Sequence, residues 1–429
     1  MELDTVKGTR DIFPEDKIVR DKIVSSLKEI FELYGFNPLE TPALENYETL
    51  SSKYAGGSEI MKEVYTLEDN AQRKLGLRYD LTVPFARVIA MNPSMKKPFK
   101  RYQIDKVWRN GPIKLGRYRE FWQCDVDVVG TRSLASDAEF LALASSFFKK
   151  IGLDVTICVN NRKLLNSLLE FSGVAQDKQE GAILSIDKLK KIGIDGVRKE
   201  LEEKGLSDDS IAKIISLFDY SASSNKETLE RLDSFLKNKE GFNEVKELLE
   251  RAEEFGVENV KLDISLARGL AYYTGTVLEV FLNDNTIASA LAGGGRYDKM
   301  IGNFIGSTEE IPAVGMSFGL DVIADVMKLK SKGAQRNSVV EVYIIPLNTL
   351  SECIKVASEL RNKGINADLD YAGRSITKNL NYCNGLNIPY VLIIGEDELK
   401  KGKSKLKNMV TGEEKLINTE NIVKEVRNI

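Results

Sequence analysis

The first periodic stretch of the chain is residues 15–34. Ile18, Val19, Ile23, Val24, Leu27, Ile30, Phe31 and Tyr34 recur at helical spacing, which puts them on one face of an α-helix. Gly35 follows at once and is a stop signal. The next segment, FNPLETPALE (36–45), reads as extended chain. Pro38 and Pro42 cannot donate a ladder hydrogen bond, so it suits a sheet edge or an interface rather than a central strand. Residues 99–130 read as a long antiparallel hairpin. FKRYQIDKVWR leads in, NGPIKLG carries the turn signals Asn110, Gly111, Pro112 and Gly116, and RYREFWQCDVDVVG leads out. On the returning arm Phe121, Gln123, Asp125 and Asp127 alternate with Trp122, Cys124, Val126 and Val128. One face therefore carries polar groups at every second residue, as the wall of a wet pocket would.

Further along, 135–151 reads as helix and 155–160 as strand. Residues 161–260 are rich in Leu, Lys and Glu, keep a helical period and show little strand signal, so they read as an inserted helical subdomain. Strand signals return at 273–283 and near 287–292. Gly293-Gly294-Gly295 then reads as a tight joint before a helix near 297–302, and 313–327 as a strand leading into a helix. The polar, basic stretch 328–338 reads as a linker. Beyond it, strands at 339–347, 366–371 and 390–395 alternate with helices at 350–364 and 374–383, which suggests a partly parallel sheet. The basic run 400–407 reads as a solvated surface loop. The chain is expected to be α+β, with one domain over 1–327 and a smaller α/β domain over 339–429.

Composition narrows the chemistry. The chain has 429 residues, a soft prior of two to four domains. Its 61 Lys+Arg against 64 Asp+Glu give a net charge of -3, which weighs against a whole-molecule electrostatic grip on nucleic acid. Histidine is absent. That excludes imidazole general bases, Ser-His-Asp and Cys-His catalysis, and any histidine-ligated metal. Cys124, Cys158, Cys353 and Cys383 show no CxxC spacing, so neither a zinc ribbon nor a disulfide framework is read, and no metal-ligating set is assigned. Scattered thiols suit a reducing cytosol. The polar start MELDTVKGTR does not read as a signal peptide, and no apolar run approaches the roughly 18 residues of a membrane span. The expectation is a cytoplasmic protein with no membrane partner.

The densest polar cluster is the hairpin. Arg109 ends one arm, Arg117 and Arg119 open the other, and Gln123, Asp125 and Asp127 follow. Guanidinium groups bind oxyanions bidentately, so one end suits phosphates; the acidic end suits an ammonium or a polar ring. A cross-strand ladder of salt bridges would use the same residues. LRYDLTVPFAR (77–87) places Asp80 and Thr82 two apart on what reads as extended chain, though a turn-capping Asp has the same look. LARGLAYYTGTVLEV (266–280) puts Arg268 just before Tyr272 and Tyr273, and GGGRYD (293–298) has the look of a packing joint more than of a P-loop.

The order of these segments resembles the histidyl-tRNA synthetases, which are class II aminoacyl-tRNA synthetases, over nearly the whole length. KGTRDIFP (7–14) resembles their N-terminal signature, GFNPLETPALE (35–45) motif 1, the dimerisation element, and 107–130 motif 2. ARGLAYYTGTVLEV resembles the histidine-specific loop, PAVGMSFGLDV (312–322) motif 3, and 339–429 the anticodon-binding domain. LRYDLT resembles the archaeal and eukaryotic branch. The resemblance implies an antiparallel catalytic sheet with a helical insertion over about 161–260. It implies ATP-dependent activation of histidine to histidyl-adenylate, then transfer to the 3′ end of tRNA(His). It implies a homodimer, with ATP as substrate and Mg²⁺ bridging its oxygens. By resemblance, Arg109 grips the α-phosphate, Arg268 stabilises the transition state and Arg117 serves the pyrophosphate end. Asp80, Thr82 and Gln123 would hold the substrate ammonium. Asp127 and Tyr273 would bond the imidazole edge, with Tyr272 shaping the pocket.

Three positions depart from the pattern. Val322 stands where motif 3 has an arginine for the γ-phosphate, Ala271 where the histidine loop has Asp, and Gly111 where motif 2 has an acidic residue. A synthetase paralogue that binds histidine or tRNA as a regulator is the alternative these departures raise.

Overall fold

The computed structural model describes residues 3–51, 61–113, 118–218, 224–268, 272–284, 286–304, 306–330, 336–418 and 421–427. Arg117 and Ala271 lie outside these residues. The chain divides into two compact units, residues 1–10 with 23–326, and residues 11–22 with 327–429.

Among the described residues the first unit holds eleven strands. They are β1 (Asn37–Pro38), β2 (Leu44–Asn46), β3 (Thr66–Glu68), β4 (Lys74–Leu77), β5 (Phe99–Trp108), β6 (Glu120–Val129), β7 (Val155–Asn161), β8 (Val260–Leu262), β9 (Thr276–Leu282), β10 (Ala292–Arg296) and β11 (Ala313–Phe318). Eight form one sheet in the order β1-β5-β6-β11-β10-β9-β7-β8, antiparallel from β5 to β7. The proline-bearing segment 36–45 supplies the edge strand β1, parallel to β5. The hairpin forms as read, with β5 and β6 paired from Phe99↔Val129 to Trp108↔Glu120.

The long helix is Pro14–Leu33, and its apolar period becomes burial: Ile23, Leu27, Ile30 and Phe31 are buried. Phe31 packs 5.8 Å from Phe318, and Phe147 of the helix Leu134–Lys150 meets Phe318 edge-on at 5.2 Å. The described elements between 162 and 254 are helices, from Arg162–Phe171 to Glu240–Glu254, around two apolar clusters built on Leu165/Leu169 and on Leu164/Leu168. Successive leucines of one helix serve different clusters because a 3.6-residue turn sends neighbours to different faces.

Four readings change, the last of them in the second unit. No strand covers 287–291; β10 starts at Ala292 and runs through the three glycines. They lie inside a strand because the sheet is crowded there: a Cβ on Gly294 would overlap the Gly315 carbonyl oxygen. Thr82 opens a helix, Thr82–Met91, so Asp80 and Thr82 do not sit on extended chain. The helix expected to end at 327 continues to Lys330.

The second unit carries β12 (Val342–Leu347), β13 (Ala367–Leu369), β14 (Tyr390–Gly395), β15 (Lys403–Asn408) and β16 (Glu414–Asn418), in the order β13-β12-β14-β15-β16. β12 is parallel to β13 and β14, as the alternating pattern suggested. Both faces are apolar. Val342, Ile344, Leu392 and Ile394 pack with the helix Leu350–Asn362, and Tyr343, Ile345, Val391 and Ile393 pack with Cys383 of the helix Ile376–Gly385. The basic run is a strand rather than a loop. β15 pairs with β14 and β16, and Lys405 and Lys407 both reach Glu414 on β16.

Candidate functional site

A cavity of about 620 Å³ opens over the central strands of the eight-stranded sheet. Its lining includes Asp80, Thr82, Arg109, Gln123, Asp127, Arg268, Tyr272 and Tyr273, so eight of the nine residues singled out from sequence meet in one hollow. The ninth, Arg117, lies outside the described residues.

Register explains the convergence. Arg101, Asp127, Gly315, Gly295 and Val277 stand opposite one another on five adjacent strands. Gln103, Asp125, Ser317, Gly293 and Glu279 form the next row. Direct partners on adjacent strands point to the same face, so both rows lie on one side. The glycines make the floor low enough for larger groups to lie on it. A Cβ on Gly293 would come within 3.0 Å of the Arg268 guanidinium carbon, and one on Gly295 within 2.8 Å of the Tyr273 ring.

Arg109 is aimed from the hairpin end. Its Nε donates to the Tyr79 carbonyl at 3.0 Å, and its guanidinium lies 5.1 Å from the Phe121 ring centre. Arg268 reaches across from the far strands. Its φ of 42° is a left-handed conformation that non-glycine residues rarely adopt. Its Nη1 donates to the Tyr273 hydroxyl at 3.0 Å, and its Nε lies 3.4 Å from Glu279. Burial works against the Arg268 charge, but Tyr273 and Glu279 outweigh it and hold the pKa above the usual arginine range. The Tyr272 and Tyr273 rings lie 4.6 Å apart, and burial pushes the Tyr272 phenol well up.

The inner wall is acidic. Asp80 Oδ1 accepts from the Val83 amide at 3.0 Å, so it caps the helix that follows and also faces the cavity. Burial pushes its carboxyl up to about 6, against the pull of that amide and of Arg109. Asp125 is pushed up to about 7, mainly by burial, with Arg101 opposing and Asp127 adding. Asp127 has one oxygen in a hydrogen bond and the other in an ion pair. Oδ1 accepts from the Tyr297 hydroxyl at 2.5 Å, and Oδ2 lies 2.7 Å from Nη2 of the fully buried Arg101. Asp125 Oδ1, Gln123 Oε1 and Asp127 Oδ2 have no hydrogen-bond partner among the described residues. One buried guanidinium among three carboxylates leaves this wall with an excess of acceptors, the complement of a cationic amine and a ring N–H.

Sequence reasoning left out Arg101, Tyr297 and Glu279, and gave Asp125 no role. The alternation on β6 puts Asp125 on the polar face without giving it a contact. Tyr297 was inside GGGRYD. Nothing local marks Arg101, whose role follows from its register opposite Asp127. No group of three His, Cys, Asp or Glu residues that could hold a metal ion exists among the described residues.

The comparisons with known proteins agree with this geometry. The family model for histidyl-tRNA synthetase matches residues 8–323, and that for an anticodon binding domain matches 341–429. Histidine–tRNA ligase 1 of Bacillus cereus is 47% identical over 419 residues, covering 96% of this chain and 97% of the relative. Histidine–tRNA ligase 2 of Shouchella clausii is 44% identical over 417 residues, covering 95% and 96%. The crystal structure of histidyl-tRNA synthetase from Nostoc sp. PCC 7120 matches with a TM-score of 0.89 at 30% identity, covering 100% of this chain and 99% of that one. These relatives are not from the archaeal or eukaryotic branch that LRYDLT resembles. Two family models that between them take in 8–323 and 341–429, and a relative nearly half identical over 96% of the chain, place it: the chain belongs to the histidyl-tRNA synthetase family.

Proposed function

We propose that this chain activates histidine with ATP and transfers it to the 3′ end of tRNA(His). The observation that carries the reading is the shared cavity, lined by Arg109 and Arg268 together with Asp80, Gln123, Asp125, Asp127, Tyr272 and Tyr273. The first step needs no imidazole. The histidine carboxylate, already ionised near neutral pH, attacks the α-phosphorus of ATP, and pyrophosphate leaves. The protein's work is to align the two and to stabilise the charge that develops on the phosphoryl oxygens. Arg109 and Arg268 are the groups placed for that. Asp80, Thr82 and Gln123 hold the ammonium. Asp127 and Tyr273 face the ring, with Tyr272 as a side wall, and Arg117 serves the pyrophosphate end.

Mg²⁺ enters as the MgATP substrate, held on the nucleotide's own oxygens. Residues 1–327 act as the catalytic part, 328–338 as linker and 339–429 as the part that reads the anticodon. The protein works in the cytoplasm as a homodimer joined through 35–45; a monomer by light scattering at micromolar concentration would contradict the dimer. No helix among the described residues is long and apolar enough to cross a membrane. The alternative, a weak paralogue acting as regulator, rested on Val322 and Ala271. The deciding test is histidine-dependent exchange of pyrophosphate into ATP, followed by charging of tRNA(His). Absence of exchange in the parent protein would defeat the proposal.

A further inference from the structure

The lining of the cavity carries two cations among the described residues, Arg109 and Arg268. Both sit over the sheet, where one nucleotide phosphate and the attacking carboxylate would meet. ATP brings about four negative charges, and its outer two phosphates must lie nearer the mouth. At the head of the helix Leu320–Lys330 the lining is Gly319, Asp321 and Val322, a carboxylate beside an apolar side chain, which alone would repel a phosphate.

A third cation stands at this place, delivered from the other end of the chain. Residues 6–9 form a tight turn in which the Thr9 amide and hydroxyl both donate to the Val6 carbonyl. Gly8 takes φ +89°, and a Cβ there would press into the Arg119 side chain at 2.7 Å. The Arg119 amide donates to the Gly8 carbonyl at 2.9 Å, which fixes the turn against the returning arm of the hairpin. Arg10 follows directly. Its Nη1 donates to the Tyr118 hydroxyl and its Nη2 to Asp321 Oδ1, both at 2.8 Å, and its guanidinium stacks 3.9 Å from the Tyr118 ring centre. Tyr118 and Asp321 both line the cavity.

We propose that Arg10 binds the outer phosphates of ATP, in the place where Val322 offers no charge. The guanidinium is stacked and tethered at two points, so it loses little freedom on binding, and its five N–H donors exceed the two contacts it makes. At 38% exposure its side chain remains open to a ligand. Asp321 neutralises part of the charge while setting the direction of the fork. This inference rests on the synthetase reading for its nucleotide, but its test does not depend on catalysis.

The test is calorimetric binding of MgATP and of AMP, which lacks the outer phosphates, to the parent, to Arg10→Gln and to Arg10→Gln/Val322→Arg. Loss of a charge-assisted contact to phosphate predicts ATP binding about 10- to 100-fold weaker in Arg10→Gln, with AMP binding unchanged. The second substitution, which puts a guanidinium at the head of the same helix, should restore most of the ATP affinity. Unchanged ATP affinity in Arg10→Gln would overturn the proposal. So would an equal loss for AMP, which would make Arg10 a prop for the hairpin. A parent that binds ATP with this pattern yet catalyses no exchange would keep the phosphate contact and remove the ligase reading instead.

Discussion

Arg101–Asp127 and Lys106–Glu120 join the same two strands at opposite ends of one hairpin. The first pair has side chains 0% and 5% exposed; the second, 43% and 27%. Both are close, with nitrogen and oxygen 2.7 Å apart. Distance alone therefore says little about what each does. At the inner end, neither charge can reach water if its partner is lost. At the outer end, each can. The inner pair is a fixed part of the amino-acid wall, and the outer pair is an exposed bridge of the kind the sequence also allowed.

The largest effect expected from this contrast is on folding. Asp127→Ala strands the buried Arg101 guanidinium, whose Nε and Nη1 already lack hydrogen-bond partners among the described residues. Breaking one side of a buried pair costs about 3–5 kcal/mol. Urea unfolding of the ligand-free variant should show that loss as a lower midpoint. A loss under about 1 kcal/mol would mean that the two ends of the hairpin are energetically alike.

Next comes chemistry rather than stability. Arg268→Ala should lower histidine-dependent pyrophosphate exchange by about 10²–10³-fold, the effect of removing one preorganised donor to developing charge. An exchange rate within about twofold of the parent would strip Arg268 of the role proposed for it.

The hairpin also shows what could be read in advance. Period-two alternation on β6 placed Gln123, Asp125 and Asp127 on one face, because side-chain direction in a strand is local. The cavity's membership came instead from the order of motifs along the chain. Neither could supply Arg101, Tyr297 or Glu279, because cross-strand register and side-chain contacts such as Tyr297–Asp127, 170 positions apart, leave no local trace. The glycine run was misread for a related reason. Glycine in sequence signals a turn, but here it marks strands and side chains packed too close for a Cβ, and crowding is a property of the assembled sheet.

A third, smaller effect concerns pH. The folded-state pKa of Asp125 is raised to about 7 from an unfolded value near 3.8, and that of Asp80 to about 6. Raised carboxyl pKa values mean that the folded protein binds protons more readily than the unfolded chain across that window. The stability of the ligand-free protein should therefore fall as pH rises from about 4 to about 7, by at most about 1.4 kcal/mol per pH unit for each group. Asp125→Asn removes one of the two and should flatten the decline, leaving the variant more stable than the parent at pH 8. Thermal unfolding from pH 4.5 to 8 checks this; parallel curves for variant and parent would count against a proton-binding buried Asp125 carboxylate.

The smallest effect belongs to the outer pair. Lys106 is exposed enough for water to replace Glu120, and Glu120 keeps a second donor, the Trp108 indole N–H at 3.0 Å. Lys106→Ala should cost no more than about 1 kcal/mol in urea unfolding. That modest loss should shrink further at 1 M salt, where screening acts within about 3 Å. The same salt should barely change the cost of Asp127→Ala, since ions cannot enter the space around Arg101. A large, salt-insensitive loss at Lys106 would show the hairpin tip to be as closed as its base. The cavity mouth would then be too rigid and dry to admit a nucleotide's outer phosphates beside Tyr118.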